Sequence, residues 1–366
     1  MKKQITPVFT AIALCCSVLG FSQTNGWYKQ FTGKTGSAPV SLHLQLSGSN
    51  YSGYYYSDKD QLPVYLTGTS AGEKNGVRTI SLGGIYPPSP DQEQALDLRI
   101  GNNAITGTWK KSKGAPGLVV SLTQVTDAAS SFVIVRSDST VKLRRSLQES
   151  PEAVFDISSV WPGDDNPNKE FLCTLIRQQF DSVNTNKDLS VLFTGSRNAF
   201  IKNYLDDYRN TPDSEIVQSG FAYGLTETST LQIMYQSDRL LSLAHFVYSY
   251  TGGAHGNYGT LYVVADLKNK KTVKLSDVLT PAGICKLDKL LEDQFRKDRK
   301  LGARASLTGA GLFENFIKHN ENFYLTGTGI GFGFTPYEIA AYAFGEINIF
   351  LPFSSITMYL QPGYKH

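Results

Sequence analysis

The sequence predicts an α+β fold in two parts. A small all-β sandwich or barrel spans residues 23–127, and an α+β domain with an antiparallel sheet and about three helices spans 131–366. Three observations predict this. After an N-terminal leader, roughly 100 residues alternate apolar and polar side chains, with turn signals every ~8–12 residues. A short polar stretch from Thr126 to Ser131 (TDAASS) then interrupts the rhythm. Beyond it, helical and strand patterns come in separate blocks, as in α+β chains rather than alternating βα units.

In the first part, Val40, Leu42, Leu44 and Leu46 alternate with Ser41, His43 and Gln45. That period of two predicts one buried face and one wet face. Leu96, Leu98 and Ile100 alternate with Asp97 and Arg99 in the same way, and Asn75-Gly76 suits a two-residue hairpin turn. Gly101 to Asn103 turns the chain before the strand that ends in Trp109. The polar linker predicts that few core contacts cross between the parts.

In the second part, Phe171, Leu172, Leu175, Ile176, Gln179 and Val183 mark a helix beginning near Lys169. Ser196 reads as the N-cap of a second helix carrying Phe200, Ile201, Tyr204, Leu205 and Tyr208. Thr280 before Pro281 opens a third, with Ile284, Leu287, Leu291 and Phe295 on one side. Strands are expected over 241–250, 258–267, 322–334 and 346–352.

Composition narrows the class. With 20 Tyr, 20 Phe, 3 Trp and 33 Gly in 366 residues, the chain is neither disordered nor a coiled coil. Its net charge of +3 is too small for a nucleic-acid footprint. Lys2 and Lys3 precede an apolar run from Ala11 to Leu19, and Gly20 and Ser22 supply small residues before Gln23. This is the pattern of a cleaved signal peptide over residues 1–22. The apolar run is too short to span a bilayer. A lipidated Cys15 or Cys16 would need a small residue before it, whereas Leu14 and Cys15 stand there. The chain is therefore expected to be exported to the periplasm, the cell surface or the medium, without a transmembrane segment. Cys173 and Cys285 remain, each on a helix flank off the apolar stripe, and whether they pair is left open.

Motifs for metal and phosphate chemistry are absent from the sequence, so no metal and no cofactor is expected. Gly68 to Gly72 fits G-x-S-x-G, but Glu73 to Gly76 follow it with hairpin chemistry rather than a helix. Asp164, Asn166 and Asn168 begin like a calcium loop, yet Lys169 and Leu175 replace its Gly and Glu; a polar helix cap is expected instead. Gly327, Gly329, Gly331 and Gly333 alternate with Ile330, Phe332 and Phe334, giving a strand with one bare face for close packing. The most informative stretch is Tyr250-Thr251-Gly252-Gly253-Ala254-His255-Gly256-Asn257-Tyr258, a glycine-rich loop between two strands. Its imidazole can brace the loop by donating to one group and accepting from another, or it can bind or catalyse. The bracing reading is preferred, with a recognition surface beside it.

This stretch, together with Tyr337-Glu338-Ile339-Ala340-Ala341-Tyr342-Ala343-Phe344-Gly345, resembles a known extracellular domain family. It is the domain shared by the lysozyme-sensing anti-sigma factor RsiV and the N-terminal region of the peptidoglycan deacetylase PdaC. Leu275-Ser276-Asp277-Val278 and Phe332 to Gly345 match the family's other motifs, over roughly residues 131–360. Ala341 departs from the Pro usual in the family. The sequence shows neither the membrane span of the anti-sigma factors nor the metal motifs of the deacetylase domain. What the resemblance implies is an exported, non-catalytic recognition module of the bacterial envelope that binds a lysozyme-like protein or a peptidoglycan fragment. Gly252, Gly253, His255, Tyr258, Tyr337 and Glu338 are its candidate binding residues. The alternatives are a glycan-acting enzyme using His255 and Glu338 as an acid/base pair, and a purely structural envelope module.

Overall fold

The structure, a computed structural model, describes residues 26–74, 76–85, 93–112, 114–181, 183 and 188–365. The expected leader, with Cys15 and Cys16, and Asn75 of the expected hairpin lie outside these residues. The first part is a closed barrel of eight antiparallel strands: β1 (Gly26–Thr35), β2 (Ala38–Ser47), β3 (Asn50–Ser57), β4 (Val64–Lys74), β5 (Val77–Ile85), β6 (Glu93–Ile100), β7 (Ala104–Lys110) and β8 (Leu118–Gln124). β8 returns to β1, with Phe31 opposite Gln124 and Thr35 opposite Val120. Closure leaves no unpaired edge, and an eight-strand barrel has an interior about wide enough for side chains alone. Phe31, Leu42, Leu44, Leu66 and Leu98 fill it. The sandwich-or-barrel alternative thus resolves as a barrel. Ser70 sits on β4 beside a bulge, which rules out a nucleophile elbow there.

The second part is α+β. Its strands β9 (Phe132–Lys142) and β10 (Glu152–Pro162) precede α1 (Lys169–Gln178), α2 (Leu189–Asp207) and α3 (Asp213–Gln218). β11 (Leu225–Gln236), β12 (Leu240–Tyr250), β13 (Asn257–Asp266) and β14 (Lys271–Thr272) come next, then α4 (Leu275–Val278) and α5 (Pro281–Asp298). β15 (Phe323–Leu325), β16 (Gly329–Phe334), β17 (Ile347–Pro352) and α6 (Phe353–Ile356) close the chain. The large sheet runs β14-β13-β12-β11-β10-β9, and a small sheet runs β15-β16-β17. The expected antiparallel sheet is in fact mixed. β10 and β11 pair in parallel because α1 to α3 form the crossover between them.

One face of the large sheet is covered by α1 and α2, through Leu172, Leu175, Ile176, Leu189 and Phe193. On the opposite face lie the small sheet and α5, through Leu287, Leu291 and Phe295. α1 begins where the sequence places it, but it stops at Gln178 and leaves Val183 exposed. Cys173 is buried beside the stripe rather than off it, and both Cys173 and Cys285 are free thiols. α2 starts before Ser196: Asp188 is the N-cap and accepts from the Ser190 amide at 3.2 Å, so Ser196 lies inside the helix. The Thr280 cap of α5 is as expected, accepting from the Gly283 amide at 3.2 Å. The expected strand 322–334 is two strands joined by a tight turn. Its bare face is used: a Cβ on Gly331 would stand 2.1 Å from the Tyr324 ring, and one on Gly333 2.5 Å from Tyr262.

Packing crosses the linker. The polar face of β2, expected to be wet, is buried against the large sheet, with His43 and Gln45 each 1% exposed. Tyr54 of β3 joins a cluster with Met234, Ala244, Tyr324 and Phe350, and Tyr56 packs on Tyr235 at 5.5 Å between ring centroids. His43 is held between two tyrosines, Nδ1 to the Tyr28 hydroxyl at 2.7 Å and Nε2 to the Tyr56 hydroxyl at 3.0 Å. A neutral imidazole donates from one nitrogen and accepts at the other, so both bonds form at once without a charge. The linker is tied down as well. Asn166 donates to the carbonyls of Ala129 and Ser131, Gln236 donates to Ala129, and Ser130 donates to Gln30. The Asp164 to Asn168 run therefore serves as a polar brace.

Burial pushes the pKa of His43 down to about 3 and that of His245, on β12, down to about 4. An unfolded histidine titrates near 6.5, so below that pH the unfolded chain binds protons that the native chain does not. Stability is then greatest above pH ~6.5 and falls as the pH drops toward the native values. At pH 4.5 each histidine should lower stability by about 2–3 kcal/mol relative to pH 7. Urea unfolding at both pH values should give a loss smaller by that amount in His43→Gln than in the parent; equal losses would show that His43 is not buried neutral.

Candidate functional site

The loop between β12 and β13 begins where their pairing ends, at Ser249 opposite Asn257. Gly252 and Gly253 have φ of 90° and 101°, a region that side-chain-bearing residues avoid. The Tyr250 hydroxyl donates to the Gly253 carbonyl at 2.9 Å. Gly256 is buried against the Tyr248 ring, where a Cβ would come within 2.5 Å of the ring carbons.

A second segment, 335–345, meets this loop. Its tight turn closes with the Tyr337 amide donating to Ala340 at 3.1 Å and the Glu338 amide to Thr335 at 3.0 Å. Glu338 caps the turn from within: Oε2 accepts from the Thr335 amide at 2.9 Å, and Oε1 accepts from Asn320 at 2.7 Å. Tyr337 is left with a φ of 70° and its ring 53% exposed. Gln61, Lys270 and Lys300 share this left-handed backbone, which the tight turn imposes on Tyr337.

His255 stacks on Tyr342 with ring centroids 3.9 Å apart and planes 23° from parallel. Its Nδ1 lies 3.0 Å from the Gly256 carbonyl, so Nδ1 carries the proton and Nε2 accepts from the Tyr337 hydroxyl at 3.3 Å. Tyr342 donates to the same Gly256 carbonyl at 2.8 Å and meets Tyr258 edge-on at 5.5 Å. Of the expected site residues, His255, Tyr258 and Tyr337 thus come together around Tyr342, while Gly252 and Gly253 shape the loop without touching these rings. Glu338 does not join them: Oε2 serves the turn and Oε1 is taken by Asn320. The bracing is shared, since Tyr250 and Tyr342 hold the loop carbonyls along with His255. Tyr342 escapes a reading for charge and nucleophiles; its place in the Tyr337 to Gly345 stretch is the signal that points to it. The assembled surface is ring-faced, with the exposed carboxylate of Glu338 next to Tyr337, and is suited to stacking on sugar faces or anchoring a protein side chain.

Two further features carry chemistry. Ser229 on β11 and His245 are paired at 2.6 Å, but they are only 6% and 5% exposed and Phe180 lies against the imidazole. That burial suits a strand-to-strand brace rather than a nucleophile. The barrel mouth opens on a cavity of about 760 Å³ lined by Tyr55, Trp109, Gln94, Lys111 and, from α5, Asp298, whose carboxyl is pushed up by burial. Among the described residues, no three His, Cys, Asp or Glu side chains gather as a metal site. No described helix is long and apolar enough to cross a membrane.

Comparison with known proteins agrees with this architecture. Residues 154–258 match the family model described as deacetylase PdaC, and residues 276–354 match that of a protein family of unknown function, DUF3298. The second part of the chain is a DUF3298/PdaC-like domain. A DUF3298 family member from Bacteroides fragilis is similar, with 25% identity and a TM-score of 0.57 over 63% of this chain and 93% of that one. A DUF3298 family protein from Pseudomonas aeruginosa PAO1 aligns at 17% identity and a TM-score of 0.46, over 65% of this chain and 98% of its own. No curated protein matches the chain.

Gly256→Ala tests the loop geometry. The new methyl must displace the Tyr248 ring and with it the carbonyl that Tyr342 and His255 share, a cost of about 1–3 kcal/mol. A lowered thermal midpoint together with altered His255 and Tyr342 ring signals in NMR is the expected result; an unchanged midpoint and spectrum would contradict the packing.

Proposed function

We propose that this chain is an exported, non-catalytic recognition protein of the bacterial cell envelope. Its ligand is a lysozyme-like protein or a peptidoglycan fragment, held on the surface formed by residues 250–258 and 337–342. The observation that carries the reading is the stack of His255 on Tyr342 with the outward ring of Tyr337 beside it. Tyr337 is the most open tyrosine of the group, and Tyr342 is half-buried within the stack. Aromatic anchors of this kind supply much of the energy in protein interfaces.

Export rests on the leader pattern of residues 1–22, and the division into a barrel (23–127) and a recognition domain (131–366) belongs to the same proposal. The enzyme reading has less support, because Glu338 hydrogen-bonds Thr335 and Asn320 and forms no hydrogen bond with His255.

The test is binding of the mature chain to hen egg-white lysozyme and to muropeptides, by calorimetry, alongside Tyr342→Ala and Tyr337→Ala. One of the two ligands should bind the parent. Each variant should weaken that binding by about tenfold or more, the loss typical of an interfacial aromatic anchor. Thermal midpoints should change little for Tyr337→Ala, whose ring is exposed. Absence of binding by the parent, or unchanged affinity in both variants, would overturn the proposal. Turnover of a glycan that His255→Ala abolishes would replace it with the enzyme reading.

A further inference from the structure

Where the barrel, the large sheet and the small sheet meet, a cleft of about 120 Å³ opens between Tyr54 and Tyr65 of the barrel and Tyr262 and Tyr324 of the sheets. That is room for a group of a few heavy atoms, about four waters' share of liquid volume. The Tyr54 and Tyr65 rings lie 5.4 Å apart and 51° from parallel, and those of Tyr262 and Tyr324 lie 4.9 Å apart and 61° from parallel. Ring faces are negative, and a cation over them is attracted by the quadrupole.

The cleft holds one carboxylate, Glu346, and one buried acceptor without a partner, on Gln232. Asn348 stands beside them; its Oδ1 accepts from the Tyr262 hydroxyl at 3.2 Å, and its NH2 can donate. Glu346 is half-buried in it, oriented by Thr260, whose amide donates to Oε1 and whose hydroxyl donates to Oε2 at 3.0 Å. Two bonds leave a carboxylate with unused lone pairs. Gln232, 2% exposed, also lines the cleft; its amide engages the Tyr65 hydroxyl, while its Oε1 has no hydrogen-bond partner. A buried acceptor left unpaired is costly, and a ligand that donates to it recovers that cost. Among the described lining residues none is basic. Glu346 is the one charged group among them and Gln232 adds an unpaired acceptor, so a cation is favoured over an anion, and a neutral apolar group leaves both unsatisfied. A quaternary ammonium satisfies the rings but has no N–H for Gln232.

We propose that this cleft binds a primary alkylammonium group, with Glu346 and the Gln232 carbonyl accepting its N–H donors and the four tyrosines enclosing it. The inference is independent of the recognition surface at His255, because it rests on different residues.

The probe is n-propylammonium chloride, titrated into the mature chain and followed by saturation-transfer NMR and ring-proton shifts. A ligand of this size should bind saturably with a Kd on the order of 1 mM. Glu346→Gln and Gln232→Leu should each weaken it by about tenfold, the share of a charge-assisted hydrogen bond. Asp97→Asn, on the barrel exterior, should leave it unchanged. Tetramethylammonium should bind several-fold more weakly and n-propanol should not bind. Nα-acetyl-lysine amide separates two sources of the group: tighter binding than the probe assigns the cleft to a protein side chain, and weaker binding to a small free amine. Thermal melts establish that each variant is folded, and Gln232→Leu keeps the test decisive if Glu346→Gln is not. No saturable binding of n-propylammonium, equal binding of n-propanol, or unchanged affinity in the folded variants would overturn the proposal.

Discussion

The structure depends on one interface, the burial of the outer face of β2 and β3 against the large sheet. A barrel strand is expected to show its alternate residues to water; here those residues are Ser41, His43, Gln45, Tyr54 and Tyr56, all buried. Large aromatic area removed from water drives the contact, at about 25 cal/mol per Å² of apolar surface. The Tyr28–His43–Tyr56 chain satisfies the polar atoms at its centre. An uncompensated polar group opposes burial, and Gln45 on the same face has both side-chain polar atoms buried without a partner, so the aromatic packing must offset that cost as well.

The barrel's position on the sheet determines where the other layers settle. With the barrel fixed on one half of the sheet face, the small sheet occupies the other half, and the bare face of β16 makes room for the Tyr262 ring of the large sheet and for the Tyr324 ring of the neighbouring β15. That placement brings the 335–345 segment down beside the loop at the β12–β13 turn, where His255, Tyr337 and Tyr342 meet. It also leaves the tyrosine-lined cleft at the three-way junction. Both surfaces are consequences of how the three layers meet, and neither belongs to one element alone.

Much of this is legible in the sequence. Turn spacing and period-two patterns mark the β-rich first part. The Thr280-Pro281 cap, the helix at Lys169 and the loop around His255 are readable because their signals are local. The rest is not local. A period of two reveals alternation, but it cannot reveal that the polar side of β2 meets a second layer, and so it predicts a wet face there. The start of α2 is hard to place because its Asp188 cap comes after a polar run, and Ser196 offers a competing cap inside the helix. The parallel pairing of β10 with β11 depends on where the crossover helices land. Glu338 groups with His255 through adjacency to Tyr337, yet neighbours in a tight turn point apart. Tyr342 and Glu346 acquire their roles only through partners on distant strands.

The shared β2–β3 face predicts that the barrel and the sheets unfold as one unit. Differential scanning calorimetry of the protein tests this most directly. A single transition with matching calorimetric and van't Hoff enthalpies is predicted, and it should move as a whole to lower temperature in Tyr56→Ala. Two resolved transitions, with only one of them shifted by that substitution, would contradict the account.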